Sequence, residues 1–291
     1  MQLDYHILDV FTDQPFTGNP LAVVLGADGL EDWQMQTIAR QFNLSETIFV
    51  QTPEDPAHAA KVRIFLPLAE IPFAGHPTIG CAVLLAGLRG IAGPLILEER
   101  AGLVPVTLGD GAVPMAEFTA PVVPFAAAAV PDAGLVAAAL GLPQLRSVAL
   151  CEGGSRFLFP EVATLEALAA ARPQEPAWSD LGRAGAPGKM WVWCRTGARS
   201  VRARMFAPGA GVPEDPATGS ATAVFAAVLH GQGALDEGET VFTIDQGVEM
   251  GRPSRLRLTA VVQDGALVAA RVAGQAVRVA EGRIRVPERR G

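Results

Sequence analysis

Two stretches of the chain are apolar on every face. Cys81 to Leu88 and Ala221 to Leu229 carry almost no polar side chain, and both are far shorter than the roughly 20 residues a membrane span needs. A helix that is apolar all round must be surrounded by other protein. The same phrase leads into each: His76-Pro77-Thr78-Ile79-Gly80-Cys81-Ala82 in the first half and Asp215-Pro216-Ala217-Thr218-Gly219-Ser220-Ala221 in the second. The pattern reads as a polar cap, Pro at the first helical position and a buried helix. Its recurrence makes the chain two related halves.

Most of the remaining pattern is strand. In the first half Leu3 to Phe11, Leu21 to Leu25, Ile48 to Gln51 and Val62 to Leu66 read as strands, and Leu95 to Glu99 with Leu103 to Leu108 as a hairpin around Ala101-Gly102. Glu31 to Phe42 is an amphipathic helix, with Met35, Ile38, Ala39 and Phe42 on one face. In the second half strands are expected near Val148 to Leu150, Arg156 to Phe159, Met190 to Cys194 and Val201 to Phe206. A helix is expected at Leu165 to Ala171, followed by a Pro/Gly-rich loop to Gly188. The tail alternates through Arg255 to Leu258 and Val277 to Val279. Pro121 to Pro131 lacks periodicity, which puts a domain boundary there and predicts domains 1–120 and 121–291, with the last strand free to return to the first. The fold expected is α+β: two similar domains, each a central apolar helix wrapped by a curved, barrel-like, mostly antiparallel sheet, with a cleft between the halves.

Composition narrows the function. With 49% apolar residues a dense core is expected and disorder is not. A net charge of −7 and the lack of any Lys/Arg run argue against nucleic acid and against an anionic membrane as partners. Cys81, Cys151 and Cys194 have neither metal nor redox spacing and sit among apolar residues, as in a reduced cytoplasmic protein. The N-terminal residues do not read as a signal peptide.

The repeated helix starts carry the candidate chemistry. A helix N-terminus offers unbonded N–H groups and the positive end of a dipole, worth about 0.3–1 kcal/mol toward an anion. Asp215-Pro216 serves equally as an ordinary cap. Glu214 beside Asp215, and Gly219-Ser220 one turn in, exceed what a cap needs. His76 is the first-half counterpart of Asp215; it is a poor cap, and histidine changes charge near neutrality. Gly75 before it leaves a backbone N–H open to a ligand. Glu46 is either a solvated loop carboxylate or, if buried by Leu44 and Ile48 to Val50, an acid/base. Cys81 aligns with Ser220; a two-thiol racemase would need Cys at both, so Cys81 reads as core.

Several longer motifs then carry a resemblance: Asp9-Val10-Phe11-Thr12 with Gly18-Asn19-Pro20-Leu21-Ala22-Val23, Leu44 to Val50, Pro72 to Gly80, Phe206-Ala207-Pro208, Glu214 to Ala221, and Gln246-Gly247 with Met250-Gly251-Arg252-Pro253. In this order they resemble the PhzF-like proteins, named for the phenazine-biosynthesis isomerase, within the diaminopimelate epimerase-like fold. The stretch 121–190 matches only loosely. The resemblance implies a homodimer with the active site between the two domains, no metal and no organic cofactor. It also implies a cofactor-independent isomerase that moves a proton or double bond on a small carboxylate such as trans-2,3-dihydro-3-hydroxyanthranilate. Glu46 matches the family's proposed acid/base, and His76, Asp215 and Ser220 match residues of the same pocket. Asn19, Gly75 and Gly219 are expected to contact substrate. An amino- or hydroxy-acid epimerase and a non-catalytic small-molecule binder remain as alternatives.

Overall fold

The computed structural model describes residues 1–109, 111 and 113–289. It divides into two compact units: residues from Met1 to Thr119 with the C-terminal residues from Ala273, and Ala120–Val272.

In the first unit the elements run β1 (Gln2–Val10), β2 (Asn19–Val24), α1 (Asp32–Phe42), β3 (Glu46–Gln51), β4 (Ala60–Phe65), β5 (Glu70–Ile71), α2 (Gly75–Arg89), β6 (Leu95–Glu99), β7 (Gly102–Gly109) and β8 (Met115–Thr119). The second unit holds β9 (Phe125–Ala126), α3 (Ala133–Ala139), β10 (Ser147–Glu152), β11 (Arg156–Glu161), α4 (Leu165–Ala170), α5 (Ala177–Arg183), β12 (Met190–Gly197), β13 (Ser200–Ala207), β14 (Val212–Asp215), α6 (Gly219–Gly231), β15 (Gly238–Gln246) and β16 (Ser254–Gln263). The last strand, β17 (Ala266–Arg285), crosses the division between the units.

Strand pairing closes the first unit on itself. The order is β1-β2-β3-β4-β6-β7-β8, with β17 pairing both β8 and β1. The β2–β3 and β4–β6 pairs are parallel. The β1–β2, β3–β4, β6–β7, β7–β8 and β1–β17 pairs are antiparallel. A closed sheet has no free edge and an interior that must be filled. Helix α2 fills it, buried from Gly75 to Leu85 and packed on β1, β2, β3, β6, β7 and β8. Gly80 permits the close approach. A Cβ there would lie 2.5 Å from Leu21 Cδ2 and 2.8 Å from Val10 Cγ2, both in side chains that are themselves fully buried.

The second unit repeats the scheme. β10–β11, β12–β13 and β15–β16 are antiparallel, while β11–β12 and β13–β15 are parallel. That sequence of pairings matches β1–β2, β2–β3, β3–β4, β4–β6 and β6–β7 step for step. A two-residue turn, Asp264-Gly265, joins β16 to β17. Both residues have positive φ, 51° and 74°, the conformation of a hairpin turn that matches strand twist. Helix α6 packs on β9, β10, β11 and β16. Its Phe225 lies 4.8 Å from the Trp191 ring and 4.9 Å from that of Trp193. Such ring pairs add about 0.5–1.5 kcal/mol each beyond their buried area.

The structure departs from the sequence reading at several points. First, neither repeated phrase starts its helix at Pro. In α2 the N-cap is Ala74, His76 is the second helical residue and Pro77 the third; Pro fits because the first N–H groups of a helix have no intrahelical acceptor. In the second unit the N-cap is Thr218 and α6 begins at Gly219, while Asp215 ends β14. The turn between them is held by side chains described below. Second, the Pro/Gly-rich loop before Gly188 contains α5. Its Trp178 and Leu181 pack with Val136 and Ala139 of α3 in one apolar cluster, so tertiary burial outweighs local composition. Third, β8 lies where no strand is expected from the sequence. The last strand takes the course that the sequence leaves open: the second unit ends at Val272, and β17 from Ala276 to Arg285 lies in antiparallel register with β1.

Candidate active site

Each unit places a polar group at the start of its buried helix. In the first unit Glu46 opens β3 and lies beside Leu21 of the parallel strand β2. Its carboxylate Oε2 is 2.9 Å from His76 Nδ1. The Glu46 side chain is 14% exposed and that of His76 only 2%. With Glu46 ionised, Nδ1 carries the shared proton, and Nε2 is the pole that can take up or give one. Nε2 is buried and has no hydrogen-bond partner among the described residues. A buried ring nitrogen without a partner costs free energy, and that cost is tolerated where the group has work to do.

Asn19 is fully buried at the first position of β2, opposite Val10 of β1. Alternation along the strand puts it on the same face as Leu21, whose side chain lies against Gly80 of α2. Gly75 and His76 lie within the first backbone turn of α2, which closes from the Thr78 N–H to the Ala74 carbonyl. Beneath that turn Thr78 Oγ1 lies 2.8 Å from the Ala74 carbonyl and 2.6 Å from Glu99 Oε1. Burial pushes the Glu99 carboxyl up to about 8. Cys81 is fully buried, and burial raises its thiol well above the usual range. It is a core residue.

In the second unit Asp215, Gly219 and Ser220 cluster around the start of α6. Asp215 is 7% exposed, and its Oδ2 lies 2.5 Å from the Thr218 hydroxyl. Gly219 and Ser220 are the first two helical residues, ahead of the first turn bond from the Thr222 N–H to the Thr218 carbonyl. Glu214 has a structural task. Its carboxylate takes a two-point contact from Arg204, at 2.8 and 2.9 Å. Arg204 Nη1 in turn donates to the carbonyls of Leu168, Ala169 and Ala171 at the end of α4. The adjacent acidic pair is therefore one structural carboxylate and one site candidate.

Two side chains at this turn have no role in the sequence reading, Thr218 and Gln246. Gln246 is fully buried and bonds both ends of the Asp215–Thr218 turn. The next residue, Gly247, has a φ of 73°, and a Cβ on it would lie 2.6 Å from the Pro216 carbonyl oxygen and 2.5 Å from that of Arg252. Gly247→Ala is expected to destabilise the protein by at least about 2 kcal/mol, because the left-handed backbone alone costs roughly 1–2 kcal/mol and neither clash is with a flexible side chain. Urea denaturation measures it.

The first unit also holds a large polar groove lined by His58, Lys61, Arg63, Glu98 and Arg100. Its charges satisfy one another. Arg63 pairs with Glu70 and Asp32, and Lys61 with Glu54. The N–H groups of Asp55 and Glu54, with His58, hold the Glu98 carboxyl down to about 2. That network fastens the β3–β4 connection.

The model of the phenazine biosynthesis-like protein family matches residues 8–282. The chain belongs to that family. It is 44% identical to an uncharacterized isomerase of Mesorhizobium japonicum, over 97% of this chain and 98% of that one. It is 38% identical to the trans-2,3-dihydro-3-hydroxyanthranilate isomerase of Pseudomonas aeruginosa, over 96% of this chain and 98% of that one. The fold matches the crystal structure of a Bacillus anthracis phenazine biosynthesis protein of the PhzF family with a TM-score of 0.87 at 24% identity, covering 98% of this chain and all of that one. The chain is thus an isomerase of this family, with the α+β, diaminopimelate epimerase-like fold that the resemblance implies.

Proposed function

We propose that the protein catalyses a proton shift on a small cyclic carboxylate of the trans-2,3-dihydro-3-hydroxyanthranilate type, with Glu46 as the acid/base. The observation that carries this reading is the Glu46–His76 couple, closed at 2.9 Å, with a buried Nε2 on its far side that has no hydrogen-bond partner among the described residues. Glu46 takes a proton from an activated ring carbon, exchanges it with solvent, and delivers its equivalent elsewhere on the same conjugated system. His76 holds the carboxylate in place and relays protons through Nε2. We assign recognition of the substrate carboxylate to the first-turn N–H groups of Gly75 and His76, with Asn19 as a neighbouring polar contact; Gly219 and Ser220 offer substrate the corresponding N–H groups at the start of α6. Asp215 orients the substrate's amino or hydroxyl group. The racemase alternative is disfavoured by Cys81, whose buried, raised thiol is unsuited to act as a base. We further take the working form to be a homodimer, as the resemblance implies, in a reducing cytoplasm that suits three buried free cysteines.

The test is proton NMR of trans-2,3-dihydro-3-hydroxyanthranilate with the purified protein in D₂O. The expected result is turnover with deuterium entering a single ring carbon. No turnover of this compound would sink the substrate assignment. Turnover with retention of every ring proton would sink solvent-exchangeable acid/base transfer.

A further inference from the structure

We infer that Gln246 is a positioning residue for Asp215, acting through Thr218; this rests on the reading of Asp215 as a working group of the site. The direction of each hydrogen bond follows from chemistry. Trp191 Nε1 can only donate, and it lies 3.0 Å from Gln246 Oε1. That contact fixes which end of the amide is oxygen. The amide nitrogen therefore faces the Asp215 carbonyl at 2.8 Å and Thr218 Oγ1 at 3.0 Å. The oxygen also accepts the Thr218 N–H at 3.3 Å. Two donors and two acceptor contacts use the full capacity of a primary amide.

The consequence falls on Thr218. A hydroxyl has one proton. Because Thr218 Oγ1 accepts from Gln246, its proton is committed to Asp215 Oδ2, 2.5 Å away. The relay from Trp191 through Gln246 and Thr218 thus sets both the backbone and the carboxylate orientation of Asp215. Gln246 and Trp191 are fully buried, so no solvent molecule competes for these bonds. Gln246 ends β15 in parallel register with Ala203 of β13, and Met205 of that same strand pairs with Asp215. The sheet brings the amide and its target together without a flexible loop.

The experiment compares kcat/KM on trans-2,3-dihydro-3-hydroxyanthranilate for wild type, Gln246→Leu, Thr218→Val, Thr218→Ser, Asp215→Asn and the Gln246→Leu/Asp215→Asn pair. Expected are losses of at least tenfold for Gln246→Leu and Thr218→Val, near-wild-type activity for Thr218→Ser, and a double variant no worse than Asp215→Asn alone. Additive losses in the double variant would mean that Gln246 merely supports the fold, and would overturn the inference. If Gln246→Leu does not fold, Thr218→Val decides: wild-type kcat/KM there, with Asp215→Asn impaired, overturns the inference and leaves the site reading standing. Full activity in Asp215→Asn overturns both. If the compound is not turned over at all, the substrate reading fails, and the relay is read from the ¹³C carboxyl resonance of Asp215. A resonance displaced in Thr218→Val and kept in Thr218→Ser supports it; one unmoved in both overturns it.

Discussion

Glu46→Gln is expected to lower kcat by about 10²–10⁴-fold, the usual contribution of a positioned general acid/base, while leaving stability almost unchanged. Gln matches Glu in shape, and its amide oxygen can still accept the His76 Nδ1 proton across the 2.9 Å contact. The side chain is partly exposed, so the neutral replacement strands no buried partner. What is lost is the ability to accept a proton from carbon. The same variant should therefore abolish deuterium entry into substrate in D₂O at equal protein concentration, with KM shifted far less than kcat. A variant that keeps kcat and raises KM would show Glu46 binding substrate without doing the chemistry, and would move the base assignment to His76 Nε2.

The sequence makes the fold legible for a specific reason. Cys81 to Leu88 and Ala221 to Leu229 are apolar on every face, and only a wrapped helix buries such a surface. The strands around them alternate or run apolar as a closed sheet requires. Less legible is whatever depends on side-chain bonds across distant segments. Local rules misplace both helix starts because they see Asp-Pro and His-Pro, while the real start of α6 is set by Thr218, held by Gln246 from β15. The same rules cannot tell Glu214 from Asp215. The distinction lies in Arg204, ten residues upstream on another strand. The pairing of Glu46 with His76 is of the same kind, joining positions 30 residues apart. The motifs mark both residues, but only the β2–β3 register and the start of α2 bring them into contact.

Glu99→Gln should flatten the dependence of stability on pH. Glu99 lies on β6 beneath the first turn of α2, and burial lifts its carboxyl from the ordinary 4.5 up to about 8. The geometry agrees with a protonated acid. Thr78 has one hydroxyl proton and two oxygen neighbours, the Ala74 carbonyl at 2.8 Å and Glu99 Oε1 at 2.6 Å. A carbonyl only accepts, so both contacts are satisfied when Thr78 donates to Ala74 and Glu99 donates to Thr78. The folded state thus holds a proton that the unfolded chain gives up above about 4.5. The stability this supplies is complete below that value, declines as pH rises, and is gone above about 8. A tenfold difference in proton affinity is worth about 1.4 kcal/mol, so the whole decline from pH 4.5 to about 8 is on the order of 5 kcal/mol. Gln keeps the shape and a donor toward Thr78 but cannot ionise, so its stability advantage over wild type should grow steadily from about pH 5 to about pH 8. Urea denaturation of both proteins across that range measures the difference, and parallel curves would show Glu99 already ionised in the folded protein. Ionisation would also reach the site. Thr78 would turn its proton to the new carboxylate and leave the carbonyl of Ala74, the N-cap of the helix that carries His76, with only the longer 3.3 Å bond from the Thr78 N–H. Activity lost in wild type between about pH 7 and about pH 9, and retained in Glu99→Gln, would show that this one buried proton secures both the fold and the start of α2.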